Sequence, residues 1–158
     1  MLPILDAIAG LSPAQWTFKP APDRWSIAEV LEHLSHTEGH DFRPRVEAAV
    51  TEDRPQWETY DEQAYSAAGQ YSGRDPEDSF DHFEERREDN LAFLRALPAG
   101  AGERVAIHPK LGPITVAELL NEWAFHDLGH IRQIAELIRA RKYYPRIGAF
   151  QKICKVNP

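Results

Sequence analysis

The sequence holds a single cysteine, Cys154, near its C-terminus. That excludes an internal disulfide framework and any cysteine-rich zinc site. It has no apolar run approaching the ~20 residues of a membrane span, and no basic segment precedes its short initial apolar stretch. The expected setting is therefore the cytoplasm, with no membrane partner. Cations are in deficit, with 18 Lys and Arg against 25 Asp and Glu, for a formal net charge of −7. An acidic chain is repelled by phosphate backbones, so nucleic acid is not an expected partner. There is no Ser-His-Asp order, Gly-rich phosphate loop or nucleotide fingerprint, and no internal repeat.

What remains is an ordinary globular balance. The 158 residues are 42% hydrophobic and 27% charged, which suits one domain spanning 1–158 whose core buries roughly two thirds of the unfolded chain's surface. Leu2–Leu11 is a short apolar segment that reads as a helix ending near Gly10, and Ser12-Pro13 can open another turn. Ser26-Ile-Ala-Glu29 is a capping box, followed at helical spacing by Ile27, Val30, Leu31 and Leu34. This helix is expected to run to about Val50, with a kink at Pro44. Residues 51–74 read as a long connection with scattered aromatics. Asp75-Pro76 opens a third helix, with Phe80, Phe83, Leu91, Leu94 and Leu97 on one side. Arg104–Ile107 reads as a short extended piece at most, and Gly112-Pro113 as a turn. Thr115-Val-Ala-Glu118, a second capping box, opens a fourth helix that turns Leu119, Leu120, Trp123, Ile131, Ile134 and Ile138 toward the core. Long helices with no convincing strand run predict an all-α four-helix bundle with one long crossover.

Two features carry chemistry. From Arg132 to Lys155 seven basic residues stand against one acid, Glu136. They read either as a solvated helix end that complements the helix dipole or as a cradle for an anionic substrate. The second feature is histidine. His126 and His130 lie at i and i+4, about 40° apart around a helix and one turn apart along it, so both imidazoles can bite one ion. A third ligand must come from elsewhere, and the second helix offers His33, His36 and His40. Three neutral imidazoles suit zinc, nickel, copper or ferrous iron, and they leave coordination positions open, as in catalytic rather than structural sites. Glu122, one turn upstream of His126, is a candidate general base or extra ligand, or else a surface acid.

The run Arg24-Trp25-Ser26-Ile-Ala-Glu-Val-Leu-Glu-His33-Leu34, followed by Glu38, resembles the first signature of the DinB/YfiT-like superfamily. Gly112-Pro-Ile-Thr115-Val-Ala-Glu-Leu-Leu with Phe125-His126-Asp127-Leu-Gly-His130-Ile-Arg-Gln133-Ile resembles the second. The similarity spans roughly residues 5 to 140. It implies a four-helix bundle of up-down-down-up topology, often a homodimer, and a three-histidine divalent metal site. Carried onto this chain, the ligands are His33, His126 and His130. His33 is preferred over His36 and His40 because it precedes the leucine of the Trp-Ser…His-Leu block. Members of the family include transferases and an isomerase that use low-molecular-weight thiols, and others are assigned as metal-dependent hydrolases.

These readings converge on a metal-dependent enzyme, a hydrolase or a thiol-dependent transferase, acting on a small molecule with zinc, nickel or iron. A low-molecular-weight thiol is the further cofactor that the resemblance implies. The rival is a non-catalytic metal-binding or stress-associated interaction module. Asp127 is expected beside a ligand or facing solvent. Trp25, Trp123 and Tyr65 are expected to pack, while Tyr65 and Tyr71 are candidates for a substrate mouth. His82 and His108 are expected on the surface, and Cys154 reads as an incidental cysteine rather than a reactive thiol.

Overall fold

A computed structural model describes residue 8, residues 10–59 and residues 61–157. The helix expected over Leu2–Leu11 lies largely outside the described residues. Ile8 and Leu11 are buried against the core. Helix α1 (Pro13–Trp16) starts on Ser12 with proline in its first turn. Helix α2 (Ile27–Thr37) opens on the expected capping box, with the Ser26 hydroxyl accepting from the Glu29 amide and the Glu29 carboxylate accepting from the Ser26 N–H at 2.8 Å. A π-helical turn, Glu38–Phe42, leads into α3 (Arg43–Thr51). The long connection holds a short helix, α4 (Glu62–Ala67). Asp75 caps α5 (Pro76–Arg95), its carboxylate accepting from the Glu77 N–H at 2.9 Å. Thr115 and Glu118 form the second capping box and open α6 (Val116–Ile138).

The helix expected to run to about Val50 is interrupted by the π turn just ahead of Pro44. With 100° per residue, Ile27 and Val30 share a face with Leu34, but Phe42, Val46 and Ala49 would be rotated away from it by about 100°. One extra residue taken up in a π turn restores the phase, and all six side chains are buried. The turn also lies just ahead of Pro44, whose ring would press on the carbonyl four residues back in a regular helix.

The short extended piece expected at Arg104–Ile107 is present as a strand, and a second strand corrects the all-α expectation. Strands β1 (Val105–His108) and β2 (Gly112–Thr115) form an antiparallel hairpin, Val105 opposite Thr115 and His108 opposite Gly112. Gly112, at φ +80°, supplies the left-handed residue the tight connection requires. The strands are too short for alternation to announce them. Part of their support is non-local, since the Ile107 N–H donates to Pro55 O at 2.8 Å and the Trp57 N–H to Ile107 O at 2.9 Å.

Two apolar cores result. One gathers Ile27, Val30, Leu31 and Leu34 with Ile134, Leu137 and Ile138. The other gathers Phe42, Val46 and Ala49 with Ala106, Val116, Leu119 and Trp123. Each fully buried large side chain stabilises by roughly 1.5–3 kcal/mol. The pairing runs α2–α3 antiparallel to α6, so residues 33–38 and 126–130 meet between the cores. Ile131, expected toward the core, and Leu91, expected on the apolar side of its helix, are each 38% exposed.

Candidate metal centre

In that middle layer the structure brings His33, His126 and His130 together, with a ligand-capable nitrogen from each within 4.8 Å of the others. Nε2 of His126 lies 2.9 Å from Nε2 of His33 and 3.2 Å from Nε2 of His130. His33 is fully buried on α2 and the other two are half-buried on α6. Trp25 roofs the cluster, its ring stacked on His130 at 15° and 6.1 Å and tilted against His33 at 4.9 Å. Its indole N–H is held by Ser66 Oγ at 2.8 Å.

The far nitrogens show which protonation this arrangement favours. His130 Nδ1 lies 3.0 Å from Gln133 Oε1. That oxygen can only accept, so Nδ1 carries the proton and Nε2 is a bare lone pair. His33 Nδ1 lies 3.1 Å from the Tyr71 hydroxyl, which serves either tautomer. His126 Nδ1 is buried without a hydrogen-bond partner among the described residues, and so is Asp127 Oδ1, 3.9 Å away. At 3.9 Å that carboxylate oxygen is beyond hydrogen-bond reach, so it places negative charge beside the ring without fixing its tautomer. The bare Nε2 of His130 faces Nε2 of His126 across 3.2 Å, so the nitrogens a cation would share already converge. The donor set fits a divalent ion of the imidazole-preferring kind. Burial, then the neighbouring imidazoles of His130 and His126, push the His33 pKa down to about 2. Burial likewise lowers that of His130. Both rings therefore stay neutral, as ligands must.

A charged network steadies the cluster from behind. Glu38, fully buried on the π turn, accepts from Arg87 Nε at 3.1 Å and from Arg87 Nη2. It also accepts from Asn90 Nδ2 at 2.8 Å and from the Trp123 indole N–H at 3.0 Å. Arg87 in turn reaches Asp127 Oδ2 at 2.8 Å, which ties α5 to the residue beside His126. The sequence marks Glu38 by position without giving it a role. Arg87, on a helix crowded with charges, carries no local signal. Tyr71 lies in a connection whose path only the fold reveals, whereas Gln133, three residues after His130, is legible from helical spacing.

The remaining histidines divide. His36 and His40 stack on each other at 4.3 Å, and His36 packs against Tyr65 at 4.3 Å, outside the three-ring cluster. His82 is exposed as expected, and Cys154 is exposed too. His108, expected on the surface, lines a cleft of about 380 Å³ together with His33, His126, Asp41 and Glu122. Its Nδ1 accepts from the Lys110 and Leu111 N–H groups at 3.1 and 3.2 Å. That leaves the proton on Nε2, a donor facing away from the turn. Burial raises the pKa of both Glu122 and Asp41, the direction that suits a carboxyl exchanging protons near neutrality. A second cleft, of about 810 Å³, is lined by His130 and shares His126 and Glu122 with the first.

A mostly helical bundle that gathers three imidazoles from facing helices, with open clefts beside them, defines a candidate metal-dependent protein of the bundle class. The chain belongs to the DinB superfamily, whose sequence profile it matches over residues 4–134. It is similar to two candidate metal-dependent hydrolases. YfiT of Bacillus subtilis (strain 168) is 29% identical over 116 residues, covering 73% of this chain and 65% of that protein. OB0782 of Oceanobacillus iheyensis is 25% identical over 119 residues, covering 75% and 68%. The solved structure of Bacillus subtilis YfiT, described as an unusual four-helix bundle topology, superposes with a TM-score of 0.77 at 26% identity, over 87% of this chain and 78% of that one.

Proposed function

We propose that this protein is a metal-dependent hydrolase in which His33, His126 and His130 hold one divalent ion through Nε2. The observation that carries the reading is the convergence of three Nε2 atoms while Gln133, Tyr71 and Asp127 stand at the far nitrogens. Zinc, nickel or ferrous iron bound there would lower the pKa of a water or thiol placed against it and polarise an electrophilic substrate. Everything else falls to the chain. Glu122 lines both clefts next to His126 and takes the role of proton acceptor. The His108 Nε2–H presents a donor within the smaller cleft, while Phe42, Trp57, Ile114 and Leu119 give that cleft apolar walls. The same reading includes the up-down-down-up order of helices, a small-molecule substrate, a cytoplasmic setting and a homodimer, the last testable by size-exclusion chromatography.

A second reading, transfer of a low-molecular-weight thiol to an electrophile, is favoured by one feature. Two clefts meet at His126, which gives two reactants room to approach.

The experiment is metal titration of chelator-stripped protein with zinc and nickel, followed by assay of the loaded protein on small esters and amides and on thiol–electrophile pairs. One ion per chain should bind and raise Tm. Alanine at 33, 126 or 130 should abolish binding, and alanine at 36 or 40 should not. Binding retained in all three single variants refutes the ligand set. Stoichiometric binding with no turnover on either panel would instead favour a non-catalytic metal-binding role.

A further inference from the structure

The larger cleft has a charge that the chain as a whole does not. Arg24, Arg132, Arg139 and Lys155 line it against two acids, Glu122 and Glu136, in a protein of formal net charge −7. Glu136 is engaged by Arg139. Arg24, Arg132 and Lys155 have no acidic partner within 4 Å among the described residues. These cations come from separate places. Arg24 precedes Trp25, the ring stacked on His130. Arg132 follows His130 by two residues on α6. Lys155 belongs to the C-terminal segment, which is clamped across the cleft as Arg139 donates to Lys155 O at 3.2 Å and the Asn157 N–H to Glu136 Oε2 at 3.5 Å. Convergence of distant segments on one cleft is not what a solvated helix end requires.

Gly129 points the same way. It sits in the middle of α6 between the two histidines, where glycine weakens a helix, yet a Cβ placed on it would meet nothing within 4 Å. No packing demand explains it. It lines the cleft and leaves the wall beside the imidazoles bare.

We propose that this cleft is a binding site for a small anionic molecule, its carboxylate or phosphate held by Arg24, Arg132 and Lys155 with the rest of the molecule directed at the histidine cluster. Guanidinium forks suit both anions, which accept paired hydrogen bonds, and the volume is that of a small-ligand site. That the anion belongs to the substrate rests on the metal-dependent reading above. The site itself stands on its own cations.

The test uses metal-free protein, titrated calorimetrically at low ionic strength with inorganic phosphate and, in parallel, with succinate. Saturable binding of one of them is expected, weakened by added salt. R24Q and R132Q should each lower affinity about tenfold, the loss of one charge-assisted contact. R95Q, a cation at the far end of α5, should leave it unchanged. G129E places a good helix former at an open position, so it should fold, and its carboxylate should abolish binding. Phosphate winning over succinate assigns a phosphorylated ligand, and the reverse a carboxylate. If the wild-type protein binds neither anion, or if G129E and the R24Q/R132Q pair bind as well as wild type, the proposal is overturned. Zinc titration of the same variants separates the two readings. Anion binding without zinc binding would sink the metal reading alone, and zinc binding without anion binding would sink this one alone.

Discussion

Glu38→Gln tests whether the buried network behind the histidines is a structural necessity. The substitution keeps shape and volume while removing the charge. The Glu38 carboxylate accepts four hydrogen bonds, two from Arg87 and one each from Asn90 and Trp123, and the Glu38 backbone carbonyl accepts a second from Asn90 Nδ2 at 3.0 Å. A glutamine can keep its oxygen toward Arg87 and Trp123, but its NH₂ then meets the Asn90 amide, donor against donor. Asn90 cannot reverse without loss, because its Oδ1 accepts from Arg43 at 3.3 Å. The change therefore weakens charge-assisted bonds and leaves a buried donor unsatisfied, each costing about 1–3 kcal/mol. Arg87 keeps Asp127 as a counter-ion, which holds the total near 3 kcal/mol, the lower end for a broken buried pair. For a chain of this length that is a fall in Tm of about 6–12 °C. Thermal and urea unfolding of metal-free protein would measure it. Glu47→Gln, which removes an exposed 3.6 Å pair with Arg43, serves as the control and should cost no more than about 0.5 kcal/mol. A loss below about 1 kcal/mol for Glu38→Gln would refute the reasoning.

Asp127→Asn should leave the fold intact yet lower zinc affinity by about 10–100-fold, as expected when the partner of a ligand's second nitrogen is changed; equal affinities in competition with a chromophoric chelator would remove Asp127 from that role. Metal-free protein should lose stability on acidification. His33 and His36 have folded pKa values pushed down to about 2 and about 4, below the ordinary 6.5, so the unfolded chain takes up protons that the folded chain refuses. Stability is full above pH 6.5 and falls as pH drops toward those values. His33 alone would contribute a loss of about 2 kcal/mol at pH 5. A urea midpoint that stays constant from pH 7 to pH 5 would contradict this.

How much of this was legible beforehand depended on whether the signal was local. Both capping boxes, the Asp75-Pro76 start and the i,i+4 histidines are short-range patterns, and the structure has all of them. The π turn left a readable trace, the loss of apolar phase between Leu34 and Phe42, which a uniform helical wheel passes over. The hairpin left almost none, because its strands are short and part of its pairing is with residues 55–57. His108 reads as a surface residue because nothing nearby in sequence says that a hairpin will carry it to the cleft that His33 and His126 line. Arg87 and Tyr71 reach the histidines from elements distant in sequence, and single-sequence patterns do not encode such contacts.

The placement of the histidines follows from the same physics as the cores. A buried polar layer is costly unless every member is paired, and here it separates two apolar cores that would be continuous if residues 33, 38, 126 and 130 were hydrophobic. Glu38 and Arg87 satisfy one another and their neighbours, so their half of the layer is stable without any ligand. The histidine half is not closed in this way. Its inner nitrogens lie within hydrogen-bond distance of one another, but His126 Nδ1 and Asp127 Oδ1 stand apart at 3.9 Å, each buried without a partner among the described residues. The completed half holds the incomplete half in position, through Arg87 to Asp127 and through Trp123 one turn from His126. That asymmetry, a rigid charged support beside an unsatisfied donor set, is what a site built for a cation requires and what a purely structural histidine cluster would have no reason to keep.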